Sequence, residues 1–558
     1  MTNKEISRAL RFASQLMELH GENSFKIRAM QNAAFKTERT TESLENLDSA
    51  ALAAVDGIGK GLAVKIVELN ERGTFSELDE LIARTPSGVA EMLSIKGIGP
   101  KKVAALWQEL GIESVGELLY ACNENRLIEL KGFGAKTQEL VRHAIEYARS
   151  NKGKFHYAVA EMIATQLVHD IETAGVVSAI SFTGALRRRC EIIELIDLVV
   201  DVKDHAAIQH FLSSHPLLDN NSITLTEAQL SATTVSGIPV RCHFSDSTSY
   251  TKVLFATTAA APHLDYLHSE KGWESNNATS EHEIYHQLGL PYLEPEWREG
   301  LFEFEWVKKN TLPDLITYES LKGTLHNHST YSDGVHSLEE MAVYCKSMGY
   351  EYLGICDHSQ SAFYANGLKP DRVHQQHEEI DRLNTRLAPF RIFKGIESDI
   401  LTSGALDYEN DLLARFDFIV ASVHSVLRMD EAKATARLIT AIENPYTTIL
   451  GHPTGRLLLA REGYPLDVKK IIDACAANGV VIELNANPYR LDIDWRHIPY
   501  ALEKGVPISI NPDAHRKEGF HDMHYGVCVA RKGGLSKEMT FNALDAVQLQ
   551  QYFEKRRK

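Results

Sequence analysis

Hydrophobic positions along this chain change their spacing twice, and each change marks a different kind of structure. Through the first 150 residues, apolar side chains recur at helical intervals in short runs broken by glycine. The opening stretch MTNKEISRALRFASQLMELHG is an amphipathic example, and β-branched runs are nearly absent. One unit recurs three times there, an apolar residue followed by a Gly-[Ile/Phe]-Gly turn that opens a helical segment. Its copies are Val55-Asp56-Gly57-Ile58-Gly59-Lys60, Ile95-Lys96-Gly97-Ile98-Gly99-Pro100-Lys101-Lys102 and Leu130-Lys131-Gly132-Phe133-Gly134-Ala135-Lys136. From 151 to 250 the helical AVAEMIATQLVHDIETAG gives way to AISFTGAL, EIIELIDLVVDV and GIPVRCHF, an α/β pattern. A helical, acidic stretch, EHEIYHQLGLPYLEPEWREG, comes next, and the proline and acidic residues before Leu321 predict a linker. Beyond it the short runs YEYLGIC, RIFKGI, FDFIVASV, TTILG, VVIEL and VPISI alternate with helical patterns. That is the sign of parallel βα units, in a barrel or a doubly wound sheet.

Composition narrows the class. A chain of 558 residues is too long for one core, so three or four domains are expected. An apolar content of 44% and a charged content of 24% are ordinary for a globular protein, and no apolar run reaches the roughly 18–20 residues that span a bilayer. The acids in the first helix argue against a secretory signal. Seven scattered cysteines with no CxxC pair fit a reducing cytoplasm, where a DNA-acting protein would be nucleoid-associated. Net charge is −16, which alone would exclude a nucleic-acid partner, but it is unevenly spread. Residues 1–150 carry a net −2 and 321–558 a net −3, whereas 151–320 carry −11. A DNA-holding surface is therefore compatible with either end and poorly suited to the middle.

The candidate chemistry stands at the ends of the C-terminal strands. His326 and His328 open that region, Asp333 follows, and His358 and Glu397 come after YLGI and within KGIE. His424 ends ASVH, His452 ends LGH, and Asp513 and His515 follow SINP. In a parallel βα barrel the C-terminal strand ends converge on one face. Residues two apart point the same way in extended chain, as His326/His328 and Asp513/His515 would. Imidazole with carboxylate is the donor set that zinc, manganese and iron prefer. One such histidine is usually a structural residue; nine ligand-type residues at strand ends form a metal site that can activate water against phosphorus.

The ordered motifs HNHSTYSDG, CDHS, GIESDI, SVH, GHPTGR, ELNANP and NPDAH resemble the PHP (polymerase and histidinol phosphatase) domain. The resemblance covers essentially all of 321–558. It implies a distorted (βα)7 barrel holding up to three divalent metals, with Mn favoured for activity and Zn or Fe as alternatives. The implied ligands are His326, His328, Asp333, His358, Glu397, His424, His452, Asp513 and His515. Arg456, Asn485 and Arg516 lie in or beside these motifs as candidate phosphate binders. The three glycine turns resemble helix-hairpin-helix motifs. There, backbone N–H groups at a helix N-terminus meet DNA phosphates with little need of basic side chains. Gly57, Gly59, Gly97, Gly99, Lys101, Gly132 and Gly134 are the candidate DNA contacts.

The order of parts is similar to that of the bacterial family X DNA polymerases. That resemblance implies a multidomain α and α/β chain. A helical lyase-like domain (1–85) precedes a helix-hairpin-helix fingers-like region (86–150), a nucleotidyltransferase-like palm (151–250), a small thumb-like region with linker (251–318) and the PHP domain (319–558). It also places Lys65 where the family has a lyase lysine. The palm departs from the family pattern. The Gly-Ser-x-Arg-Arg turn reads Gly184-Ala185-Leu186-Arg187-Arg188, the Asp-x-Asp pair reads Leu195-Ile196-Asp197, and the third Asp is Arg241. Gly184, Arg187 and Asp197 are then remnants, since one carboxylate cannot bridge two metals about 3.5–4 Å apart. The expected function is a metal-dependent 3′–5′ exonuclease or 3′-end phosphoesterase acting on gapped, nicked or 3′-ended DNA in repair. Cleavage at abasic sites is a second expected activity, and no membrane or obligatory protein partner is expected. The alternatives are an active gap-filling polymerase with PHP proofreading and a phosphatase of the histidinol phosphatase kind.

Overall fold

Why the N-terminal third folds as helices is visible in its caps. The hydroxyl of Thr2 accepts the Glu5 N–H, and the Glu5 carboxylate accepts the Thr2 N–H, which fixes the start of helix Asn3–Leu19. The side chains of Asn23 and Asp48 accept backbone N–H groups at the starts of the helices Ser24–Arg39 and Ser49–Ala54. Ile6, Leu10, Ala13 and Met17 line one face of the first helix and join a core with Ile66, Leu69, Val103 and Leu106. The computed structural model describes the whole chain except residues 41, 96, 124–125, 128–129, 131, 274–277 and 557–558. Lys96 and Lys131 of the repeated turns therefore lie outside the described residues. The chain divides into two units, Met1–Lys152 and Gly153–Lys558.

The second unit begins with a five-stranded sheet ordered Val177–Phe182, Ile196–Val202, Pro239–Ser245, Gln229–Thr233 and Thr224–Leu225. Only the pair Ile196–Val202 and Pro239–Ser245 is parallel, with Asp197 directly opposite Arg241. Helices Tyr157–Ala174 and His205–Ser213 bury Ala160, Ala164, Leu167, Ile208 and Leu212 with this sheet. Residues 250–309 add four helices around their own aromatic core of Phe255, Trp273, Tyr285 and Trp297.

The remainder is a seven-stranded parallel sheet in sequence order: Gly323–Thr324, Tyr352–Ile355, Arg391–Asp399, Phe418–Ser422, Ile449–Leu450, Val481–Asn485 and Ile508–Asn511. Its two edges meet. The Leu325 N–H donates to Asn511 Oδ1 at 3.0 Å and the His328 N–H to the Ala514 carbonyl at 2.9 Å, so the sheet nearly closes into the expected barrel. Strands covered on both faces read as unbroken apolar runs, which is why no alternation marked them. Phe418 fills the barrel interior so tightly that a Cβ at Gly354 or Gly395 would stand 2.6 or 2.5 Å from its Cζ.

The stretch before Leu321 is packed: Ile316 is fully buried, its N–H donates to the Leu535 carbonyl at 2.9 Å, and its carbonyl accepts from Arg531. Proline and acidic residues signal irregular backbone, and this backbone finds its hydrogen bonds at the end of the helix Met523–Lys532 and in the turn after it. The Lys532 ammonium, also buried, reaches the Arg188 carbonyl at 3.0 Å and the Glu299 carboxylate, joining the sheet domain, the helical segment and the barrel.

Candidate functional site

All nine strand-end residues meet at the C-terminal mouth of the barrel. Glu397, inside the strand Arg391–Asp399, is the hub. Its Oε1 lies 3.0 Å from His452 Nε2, 3.1 Å from His424 Nε2 and 3.3 Å from His326 Nε2, and its Oε2 lies 2.9 Å from His358 Nδ1. Asp513 Oδ1 stands 3.0 Å from His328 Nε2, and Asp333 Oδ1 stands 3.4 Å from His515 Nε2 and 3.7 Å from His358 Nε2. Three overlapping groups have donor atoms within 4.8 Å of one another: His328, Asp333, His358 and His515; His326, His328 and Asp513; and His358, Glu397 and His424. His452 and Asp513 hold φ at +22° and +54°, a left-handed backbone that costs energy at a non-glycine residue and is typical of functional positions.

The donor set fits divalent metal. The buried atoms His328 Nδ1 and His452 Nδ1 have no hydrogen-bond partner among the described residues, although such atoms are normally satisfied. Electrostatics agree. Burial disfavours a charged imidazole, yet at His326 the carboxylates of Glu483, Asp513 and Glu397 outweigh it and raise the pKa well above the ordinary value. At His424 burial is again outweighed, by Glu397 and Asp399, and the pKa rises to about 10. His328, buried beside His515 and His358, drops to about 3. A pocket with this much buried carboxylate demands cations, and protons or divalent ions can meet the demand.

Three acids that hold this cluster escape a reading of strand ends. Glu483 Oε2 lies 2.7 Å from His326 Nδ1, and its Oε1 accepts the His452 N–H at 3.1 Å and Asn485 Nδ2 at 3.2 Å. Asp399 Oδ1 lies 2.6 Å from His424 Nδ1. Asp357 accepts from Ser329 and Ser332, through backbone N–H and hydroxyl of each, and from Gln376, which fixes the loop that carries Asp333. Carboxylates behind metal-facing histidines orient the ring and set its tautomer. A signal existed for Glu483, because a lone acid in the wholly buried strand Val481–Asn485 must have a partner.

The other candidates divide. Asn485 Nδ2 contacts Glu483 Oε1 and Asp513 Oδ2, each at 3.2 Å, so it braces the cluster. Arg456 is committed to protein groups: Asp494 at 2.6 Å and the carbonyls of Arg490 and Leu491. Arg516 is exposed. In the palm, a Cβ on Gly184 (φ +58°) would stand 3.2 Å from Asp197 Oδ2, so these two remnants touch. Arg187 instead pairs with Glu281 at 2.6 Å. Asp197 is gripped by Arg241 through two bonds of 2.8 and 3.1 Å, with His243 Nε2 at 2.9 Å.

In the first unit the three glycine turns have the same geometry. Gly57, Gly97 and Gly132 take φ of +84°, +98° and +91°, which an L side chain resists. The apolar residues between the glycines, Ile58, Ile98 and Phe133, are buried. Gly59 and Gly99 cap helices Lys60–Arg72 and Pro100–Leu110 without a side-chain bond, and Gly134 precedes Ala135–Ser150. A Cβ on Gly59, Gly99 or Gly134 would meet open space, so the backbone N–H groups there can be approached. Lys101 is exposed beside the second turn. The Lys65 ammonium is held by Glu77 and lies 5.2 Å from the centre of the Phe75 ring, so a nucleophilic role would require it to leave that partner.

Comparison with known proteins agrees with this division. Family models match at residues 1–75 (helix-hairpin-helix domain), 89–145 (SAM-like helix-hairpin-helix tandem) and 324–487 (PHP domain). Probable phosphatases of Thermoanaerobacter sp. (strain X514) and Acetivibrio thermocellus are 27% and 30% identical over 38% and 34% of this chain, and 93% and 78% of their own lengths are covered. The DNA polymerase/3′-5′ exonuclease PolX of Bacillus subtilis is 35% identical over 97% of this chain and 98% of its own length. Matched almost end to end, with both helix-hairpin-helix regions and the PHP barrel in place, this chain belongs to the PolX family of bacterial family X DNA polymerases.

Proposed function

We propose that this protein is a metal-dependent 3′–5′ exonuclease, or 3′-end phosphoesterase, acting on DNA in repair, and that its polymerase core no longer transfers nucleotides. The observation that carries the reading is the convergence of nine histidine and carboxylate side chains at the barrel mouth. His326, His328, Asp333, His358, Glu397, His424, His452, Asp513 and His515 would hold up to three divalent ions, Mn favoured for activity. When bound, such ions polarise the phosphoryl group and activate the attacking water. The chain's own contribution is orientation: Glu483 and Asp399 fix the rings of His326 and His424, and Asp357 fixes the Asp333 loop. The glycine turns supply backbone donors for DNA phosphates, which a small-molecule phosphatase does not need. Gapped, nicked and 3′-ended DNA are the proposed substrates, with abasic-site cleavage by the same centre as a second activity.

Loss of nucleotidyl transfer is argued from charge. Arg241 occupies the place of a metal-binding carboxylate and is bonded to the one acid left, so a cation would meet a neutralised site. The domain limits proposed are 1–85, 86–150, 151–250, 251–318 and 319–558. One gel tests the reading. With a 5′-labelled gapped duplex, Mn²⁺ and four deoxynucleotides, the expected result is stepwise shortening without extension. Extension past the primer end would restore the gap-filling polymerase with PHP proofreading.

A further inference from the structure

Resting on that reading of the site, we propose that Arg490 holds the scissile phosphate. Its side chain is 19% exposed, and among the described residues its guanidinium makes no hydrogen bond. Its nearest acid, Asp513 Oδ2, is 3.9 Å away, beyond hydrogen-bond reach, and its charge is also felt at His452. Two cationic neighbours show what satisfaction looks like in this barrel. Arg456 bonds Asp494 and two carbonyls, and Arg461 bonds the Gly455 carbonyl at 2.8 and 3.0 Å. A guanidinium whose donors are not taken up by protein groups is free to receive an anionic acceptor at this site.

The backbone around it is held firmly. The Arg490 N–H donates to the Asn487 carbonyl at 2.8 Å, and its carbonyl accepts from Arg456 Nε at 2.9 Å. The preceding Tyr489 carbonyl accepts the Leu458 N–H at 2.7 Å, and the Tyr489 ring stands edge-on to His156 at 4.6 Å. Glu191 of the palm accepts from Trp495 Nε1 at 3.2 Å and from Arg496 Nη1 at 3.0 Å. The loop that presents Arg490 is thus braced by Arg456 within the barrel and by the palm from outside.

The chemistry selects the ligand class. Divalent ions held by Glu397, Asp513 and Asp333 would draw a phosphodiester to the mouth, and a fixed cation beside Asp513 and His452 would hold phosphate oxygens that the ions leave free. Arginine supplies one with several donors in a rigid fork that matches two phosphate oxygens. Arg456, which the motif pattern favoured, serves instead to position it.

The test uses the full-length protein loaded with Mn²⁺. Wild type, Arg490→Gln and Arg490→Lys are compared for hydrolysis of the p-nitrophenyl ester of thymidine 5′-monophosphate, bound metal, Tm, and inorganic phosphate binding by calorimetry. Arg490→Gln is expected to lower kcat/KM and weaken phosphate binding by a similar factor, about 10- to 100-fold, with metal content and Tm unchanged. Arg490→Lys is expected to recover part of both. Phosphate binding equal to wild type in the Gln variant would overturn the inference, as would a loss accompanied by loss of metal. If wild type does not hydrolyse the ester, the exonuclease reading fails, while the phosphate-binding comparison still decides the role of Arg490.

Discussion

Two places in the second unit bury carboxylates on or beside parallel strands, and they balance the charge in opposite ways. In the palm, Asp197 on Ile196–Val202 faces Arg241 on Pro239–Ser245, and the pair closes on itself with His243 alongside. At the barrel mouth, Glu397 and Asp513 face histidines, whose nitrogens can carry a proton or give it up to a metal. An arginine is a permanent cation that satisfies the carboxylate for good; an imidazole is an exchangeable one. Whether an acidic cluster can take metal therefore depends less on the number of its carboxylates than on whether their partners can leave.

The sharpest way to break this comparison is to remove the exchangeable partners. His326→Ala with His328→Ala is expected to bring hydrolysis below detection while DNA affinity in a gel-shift titration stays near wild type; a matching loss of binding would count against separate holding and cutting parts. Glu483→Gln, which leaves every metal-facing residue in place, is expected to cost about 10- to 100-fold in activity or metal affinity, read from a Mn²⁺ titration of the rate.

In the palm the same operation has a different outcome. Arg241→Ala should leave hydrolysis unchanged and lower stability by about 1–3 kcal/mol, less than a fully buried pair costs, because Arg241 is 37% exposed. Denaturant unfolding checks the figure. Acid should loosen the packing between the palm and the helical segment behind it. Glu281 and Glu299 have their pKa values held at about 2 against an ordinary 4.5, because Arg187 and Arg298, and Lys532 and Arg188, outweigh the effect of burial. A depressed folded value means the stabilisation is present above about pH 4.5 and is lost as pH falls from there toward 2. Fluorescence of Trp273 and Trp297 against pH follows it, and Glu281→Gln should flatten the curve. The smallest effect is expected at a glycine turn. Gly99→Ala meets open space and should weaken DNA binding about two- to fivefold, or ~0.3–1 kcal/mol, without changing Tm. Gly97→Ala at φ +98° should instead cost stability.

Much of this was legible in the sequence for a physical reason. Most of the candidate metal ligands sit where strands end, so His326, His452 and Asp513 stand beside apolar runs that announce the strand. The glycine turns were equally plain, because each pairs a required positive φ with an apolar plug. What lies behind the cluster was harder to see. Asp399 and Glu483 sit within strands and matter only through a partner brought near by the fold. Arg490 and Arg456 are both arginines near asparagine- or glycine-rich loops, and only the hydrogen bonds reveal that one is committed and the other idle.

The bracing of the barrel loop by the palm bears on how this chain can drift. Glu191 and His156 support the Arg490 loop from a domain whose own acid is already sealed. In a library scored by hydrolysis, substitutions at Asp197 or Arg241 that preserve folding should accumulate freely, while Glu191 should resist change. On the proposed reading, this domain would be kept for the shape of its edge after its own chemistry had gone.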